Sequence, residues 1–437
     1  MNRPSVPFVD SQSAAPLPRS GLAWLDAARR EHLEAFAARG LPDTRDENWR
    51  YTALHALAQR RYAVGDDEAA ERPVAAASLA WPQAEGPRLV FVNGVYRADL
   101  SQHDDLPEGV SLRPLTRALH EDPEPLRFVL ERRYREAGDA FDRLNAAFAA
   151  DGAVLRVDAG VRVPAPVQLI FIGAPAATAC TWHLRHVIEL GEGSALTLIE
   201  RHLGEDAGDY LATSVGDLRL GTGARLDHLQ VQTAPGKATL IRRERLDLAA
   251  DAQVRCHVLE LGGALVRHDV QAILHGERAR FDNRGVFAPH GRQHVDSELA
   301  IRHAGRETVS SSDWRGVAGA RGRGVFRGSI IVDPGADGAN AALTSKNLLL
   351  SAQAEIDTRP ELEIYTDAVQ AAHGATVGQL DERALFYLRA RGIPLSQARS
   401  MLTEAFCAAM FADLEPADWR ERLAALLAAH LRRGDET

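Results

Sequence analysis

The segments LGEGSALTL, LGTGARLDHL, LAADAQVRCH and LHGERARFDN, opening at Leu190, Leu220, Leu248 and Leu274, decide the fold. Their starts lie 30, 28 and 26 residues apart, and RHAGRETVS opens 28 residues further on at Arg302. Each sets a small-residue turn before a short strand. A repeat of this length and content predicts rungs of a β-solenoid, each burying its apolar side against its neighbours. The competing arrangement is a large antiparallel sandwich with evenly spaced hairpins. The shared register favours the solenoid.

Outward from these segments, strands such as VLRV, LTLI, VRCHVLEL and GSIIV recur from Ala153 to about Gly378. Before them the chain is mainly helical. Trp24, Leu25, Ala28, His32 and Leu33 have near-helical spacing within Ala23–Ala38, stopped by Gly40-Leu41-Pro42. A short hairpin is expected at RLVFVNGV, turning at Asn93-Gly94. Helical patterns return from Pro125 to Ala150. After Gly378 three helices are expected: one capped by Asp381 with Gly392 just past its end, one capped by Ser396, and one opening at Pro416. The second should bury Met401, Leu402, Ala405, Phe406 and Ala409. The third should bury Leu423, Leu426, Leu427 and Leu431. The plan is therefore a helical region over 1–150, a solenoid core over 151–378 and a helical domain over 379–437. Three short helices make a thin core alone, so they must pack on the solenoid end or offer a face to a partner.

The 437 residues are 45% hydrophobic and 25% charged, the balance of a soluble folded protein. A net charge of −9 argues against a nucleic-acid binder. The N-terminus MNRPSVPFVDSQ has no apolar secretory core, and the uncharged run between Arg162 and His183 is broken by Pro164, Pro166, Gly173 and Pro175. Neither a signal nor a membrane helix is expected. The three cysteines, Cys180, Cys256 and Cys407, are scattered, as reduced cytoplasmic thiols are.

Catalytic motifs are absent. Gly236-Lys237-Ala238 lacks the earlier glycine and the hydroxyl residue of a nucleotide-binding loop, and no Gly-x-Ser-x-Gly elbow occurs. Asp282, Asp296, Glu298 and Asp313 could serve glycan chemistry, but a solvated turn or strand face is the expected place for each. His183 and His186 must point to opposite faces of a strand. The pair His290 and His294 has no third ligand at a fixed offset, so surface or interface histidines are expected. Cys256 and Cys407 read as buried structural thiols. Arg315, Arg321, Arg323 and Arg327 alternate with glycine and suit a tight turn between rungs rather than an RNA tract.

DTRPELEIYTDAVQAAHGATVG (Asp357–Gly378) followed by FYLRARGI (Phe386–Ile393) changes from strand to helix around His373-Gly374. It is expected to hold an imidazole at the end of a rigid strand beside a glycine that leaves it unshielded. This stretch resembles the signature of the SufB/SufD family of iron–sulfur cluster assembly proteins. KNLLLSAQAEID (Lys346–Asp357) and HVDSELAIRHAGRETVSSS (His294–Ser312) resemble the same family's core. GLPDTRDENWRYTAL (Gly40–Leu54), RLVFVNGVY (Arg88–Tyr96) and the His-Gly pair resemble its SufD branch.

The resemblance implies a mainly β protein, a right-handed parallel β-helix flanked by N-terminal and C-terminal helical regions. It implies a non-enzymatic, cytoplasmic scaffold subunit that pairs with a SufB-like protein and docks a SufC-like ATPase on its C-terminal helices. It further implies that His373 helps hold a transient iron–sulfur cluster shared with the SufB-like partner. Many chains of the SufD branch have Cys-Ser-His-Gly where this one has Ala371-Ala372-His373-Gly374. Clusters are held chiefly by thiolates, and three scattered cysteines supply no such set, so no cluster is expected on this chain alone. Phe386, Tyr387, Arg389, Arg391 and Gly392 are the expected ATPase contact, since aromatic and arginine side chains anchor interfaces. A homodimer of the isolated chain stays open. So do two rival readings, a β-helical carbohydrate-active enzyme and a structural solenoid with no metal role.

Overall fold

The computed structural model describes residues 5–65, 68–69, 71–104, 106–205 and 208–435. Two ten-stranded sheets form the body, and successive strands alternate between them. Tyr210–Leu220 pairs in parallel with Cys180–Leu190 and with Thr239–Leu248. The intervening Arg225–Thr233 pairs in the other sheet with Ala195–Gly204 and Gln253–Glu260. That is a parallel β-solenoid, so the sandwich is excluded.

The repeated leucines are literal stacking partners. Leu190 lies opposite Leu220, Leu220 opposite Leu248, and Leu248 opposite Leu274. The next partner is His303, one residue later than the repeat spacing places it. The turn after Leu274 carries one more residue, and strand parity then turns His303 inward and leaves Arg302 outside. The turns stack too. Gly193, Gly223, Asp251, Arg278 and Glu307 each take a positive φ, between 54° and 66°, two residues before a strand. Each donates its N–H to a carbonyl of the next turn, as Gly193 does to Thr222 at 2.8 Å. The conformation suits glycine, and the last three side chains accept its cost for that bond.

Inside, inward-pointing residues of both sheets make one apolar column from Leu89 to Ile356. Outside, each sheet face is covered. Phe8, Trp49, Phe141 and Phe148 pack on Leu211 and Ile241. The C-terminal helices lay Cys407, Met410, Phe411, Trp419, Leu423 and Leu427 on Ile199, Leu229, Leu259, Val286 and Val317 of the other sheet. They therefore lie along the flank of the solenoid, not on its end.

The N-terminal helix forms at Ala23–Arg39, and two more follow at Pro123–Arg135 and Ala140–Phe148. The hairpin forms at Arg88–Val92 and Val95–Tyr96, turning on Asn93 and Gly94. Strands Arg88–Val92 and Val110–Pro114 join the two sheets, so the sheets take in residues before 151. Asp381 accepts the N–H of Arg383, and Gly392 has φ +86° just beyond Glu382–Ala390. Ser396 is not a cap. It lies within Leu395–Ala408, whose cap is Pro394. That helix buries Ala398, Thr403 and Cys407, while Met401, Ala405 and Ala409 are exposed, because it packs on a broad sheet rather than in a bundle. The helix Ala417–Asp435 buries Leu423, Leu427 and Leu431, with Leu426 packed at the margin. No helix among the described residues is long and apolar enough to cross a membrane.

Candidate functional site: the open rung

Glu355–Ile364 and Val369–Gly378 are the last strands of the two sheets, and each pairs with a strand on one side only. His373 sits in the middle of the second strand, not on a strand–helix joint, because the strand runs on to Gly378 and the helix starts at Glu382. Its register partner one rung down is the buried Leu343. Parallel partners point to the same side, so His373 faces the solenoid interior where no further rung covers it. The same parity puts Ala371, Ala375 and Val377 beside it, with Ile356, Thr358, Pro360, Leu362 and Ile364 on the facing strand. Among these inward positions His373 is the one metal-ligating side chain. Gly374 points to the opposite face of the strand, where a Cβ would meet nothing within 4 Å, so it does not shield the imidazole either way.

One imidazole holds no cluster, and the chain's thiols are elsewhere. Cys180, Cys256 and Cys407 are all free and buried. Burial pushes the Cys256 and Cys407 thiols well up, which makes them inert. Cys256 faces inward and its neighbour His257 faces outward, 3.1 Å from Asp413 of the C-terminal helices.

The remaining candidates resolve into structure. His183 and His186 are buried, not on the surface. His183 shares a hydrogen bond of 2.8 Å with Thr213, and His186 one of 3.0 Å with Ser214. His294 bonds Thr52 at 2.9 Å, and among the described residues neither it nor His290 belongs to a metal-spaced group. Asp296 is not solvated, because Arg267 reaches it at 2.7 Å under the N-terminal segment. Glu298 meets the same guanidinium, yet burial and the nearby Asp269 push its carboxyl up to about 7. Asp282 and Asp313 belong to strands of the other sheet. Only Arg321 occupies a turn. Arg315, Arg323 and Arg327 lie on strands. A cleft of ≈ 1140 Å³ beside Asp43, Asp139, Arg243 and Arg267 is lined by acids and arginines that largely pair with one another.

A second exposed set lies on the helix that follows the open rung after a three-residue link. Phe386 is 74% and Tyr387 57% exposed on Glu382–Ala390, while Leu385 is buried and Leu388 half-buried. Phe386 therefore does not dock this helix onto the solenoid. Arg389, Arg391 and Gly392 are exposed, and the Arg391 guanidinium lies 3.6 Å from the centre of the Tyr387 ring. Leu395 and Met401, on the next helix, are exposed as well.

Sequence reasoning missed the ionisable side chains inside the solenoid, among them Glu200, His228, Arg242, Glu244 and Glu260. The available signal was strand parity. Once the leucine column sets the register, these residues fall on inward positions.

The fold and the site define a parallel β-solenoid protein that presents one imidazole at an uncovered end. Residues 172–406 match the family model "SUF system FeS cluster assembly, SufBD core domain", and residues 11–169 match "SufBD protein N-terminal region". The chain belongs to the SufBD family of iron–sulfur cluster assembly proteins and is SufD-like. It is 29% identical to the iron–sulfur cluster assembly protein SufD of Escherichia coli, covering 93% of each chain. It is 28% identical to a SufBD family protein of Synechocystis, over 88% of this chain and 86% of the relative. It is 25% identical to SufD of Bacillus subtilis, over 90% of each.

Proposed function

We propose that this chain is a non-enzymatic, cytoplasmic scaffold subunit. It pairs with a SufB-like protein through its open rung and docks a SufC-like ATPase through its C-terminal helices. His373 lends one imidazole to a nascent cluster whose thiolates come from the SufB-like partner. The observation that carries this reading is the inward, uncovered His373 between two strand edges that lack outer partners. Unpaired edges are templates for another chain, and a second solenoid stacked there would close the mouth around the imidazole. The cluster is cargo, held only in the complex. Gln379–Asp381 join the His373 strand directly to the helix bearing Phe386 and Tyr387. An ATPase moving that helix would pull on the strand that carries the ligand.

Anaerobic coexpression with SufB-like and SufC-like proteins, followed by iron and sulfide analysis, tests the reading. The wild-type complex should carry a cluster and the His373→Ala complex markedly less. Equal loading would overturn the assignment. A homodimer that persists when the SufB-like protein is in excess would show that the open rung pairs with a second copy instead. The carbohydrate-enzyme reading is disfavoured by its own residues: Asp296 is locked to Arg267, Asp313 lies 2.7 Å from Arg315, and the four carboxylates divide between two sheets.

A further inference from the structure

Three carboxylates lie inside the closed solenoid: Glu200 and Glu260 from one sheet, Glu244 from the other. One guanidinium, Arg242, faces all three. It is 2.8 Å from Glu260, 3.7 Å from Glu200 and 3.6 Å from Glu244. The carboxylates carry three negative charges and Arg242 one positive, and His268, 3.2 Å from Glu260 and 3.7 Å from Glu244, adds a second positive charge only when protonated. Uncompensated buried charge is strongly unfavourable. Something divalent, or two protonated imidazoles, must balance it.

We propose that the solenoid interior binds one divalent first-row transition-metal ion between Glu200, His228 and Glu244. One ligand atom from each of these side chains lies within 4.8 Å of the others. His228 Nε2 is 3.6 Å from Glu200 Oε2. A tetrahedral ion with bonds of about 2.1 Å spaces its ligands about 3.4 Å apart, so that edge is already formed and modest rotation of Glu244 completes the set. His202 Nε2 lies 2.6 Å from Glu200 Oε1, fixing the carboxylate so that Oε2 stays toward His228. The Gln230 amide N–H reaches both Glu244 oxygens, at 2.6 and 2.7 Å, and one of these bonds is exchanged for the ion as Glu244 turns.

An independent observation points to a ligand. His268 is fully buried with Nε2 3.7 Å from Glu244 and Nδ1 3.2 Å from Glu260, and neither ring nitrogen makes a hydrogen bond of good geometry. The second oxygen of Glu260 has none either. Buried polar atoms left unmet are costly, and a hydrated ion would supply both donors and charge. Room exists beside Gly216, which lies in register between His186 and Glu244 and borders a void of ≈ 10 Å³. That volume is on the scale of one water or ion. An imidazole with carboxylates suits Fe²⁺, Mn²⁺ or Zn²⁺ better than Mg²⁺ or Ca²⁺.

The test uses the full chain, stripped with chelator and loaded with Co²⁺ under anaerobic conditions. Loading is done both on the folded protein and during refolding from urea, because the site is sealed between rungs. Expected are one Co²⁺ per chain after gel filtration, the visible absorption of a low-coordinate ion, and a raised Tm. Glu200→Gln combined with Glu244→Gln should cut occupancy roughly tenfold or more, and His228→Gln should do the same. His275→Gln, at an exposed imidazole, should leave occupancy unchanged. Failure of the wild type to retain Co²⁺ under either loading overturns the proposal, whether or not the variants fold. So does retention that the folded variants leave intact. Either result would assign the charge balance to protonated histidines.

Discussion

His373 is the register partner of Leu343 one rung away, yet Leu343 is 1% exposed and His373 lies open to solvent. The two occupy the same inward position, and only the presence or absence of a covering rung separates them. Their truncations should therefore separate stability from function. Leu343→Ala should cost about 2–5 kcal/mol by opening a cavity. His373→Ala should stay within about 0.5 kcal/mol. Urea melts of the isolated chain check both, and a large loss in His373→Ala would mean that the imidazole is a structural part.

Gly285 faces Trp314 across the register, and a Cβ there would lie 2.5 Å from the indole ring. The ring cannot easily retreat, because Trp314 Nε1 donates to Asn283 Oδ1 at 2.6 Å. Gly285→Ala should destabilise the solenoid by about 1–3 kcal/mol through overpacking. Gly193→Ala is the contrast, since its added Cβ meets nothing and only its φ of +65° is penalised. That cost should stay near 1 kcal/mol. Equal losses at the two sites would refute the packing account.

Acid should weaken the fold through histidines buried in neutral form. Burial pulls His183 down to about 3 and His303 to about 4, from an ordinary value of 6.5. His303 is held by Thr308 and Ser310, each at 2.8 Å. Both folded values are depressed, so between them and 6.5 the unfolded chain binds more protons. The contribution of each is full above 6.5 and is lost as pH falls toward 4 for His303 and 3 for His183. At His303 the loss amounts to roughly 3 kcal/mol. His303→Gln should flatten the stability curve between pH 6.5 and 4, and an unchanged slope would place the acid sensitivity elsewhere.

Much of the fold was legible because the turn residues repeat. The leucines from Leu190 to Leu274 read as a column because each precedes a turn that needs the left-handed conformation. The shift at His303 was not legible, since both connections of that rung, 275–279 and 288–293, lengthen and the repeat spacing does not show it. The helix Leu395–Ala408 showed an apolar stripe of nearly the right width but the wrong centre. Its partner is a flat sheet, and Thr403 and Cys407 fit it better than Met401. His373 stood out in the sequence, but the direction of its side chain follows from pairing with Leu343, which no local pattern contains. The charged interior was missed because no local pattern marks Glu200 and Glu244, and only the register with the leucine column turns them inward.

The last prediction concerns Phe386 and Tyr387. Both are more than half exposed while Leu385 on the same helix is buried, so the aromatic pair contributes little to folding. The Arg391 guanidinium lies over the Tyr387 ring, which presents a rigid aromatic–cation surface of the kind that anchors interfaces. Removing residues 381–437 is a poor test, because it would bare Ile199, Leu229, Leu259, Val286 and Val317 and invite aggregation. The combined Phe386→Ala and Tyr387→Ala variant should instead keep wild-type stability within about 0.5 kcal/mol. It should lose about 2 kcal/mol or more of affinity for a SufC-like ATPase, close to thirtyfold in Kd. Leu385→Ala serves as the opposite control, destabilising the helix without touching the exposed face. Calorimetric titration of the folded double variant decides the matter: undiminished affinity would place the ATPase contact on another surface, and weakened binding would place it on the helix joined to the His373 strand.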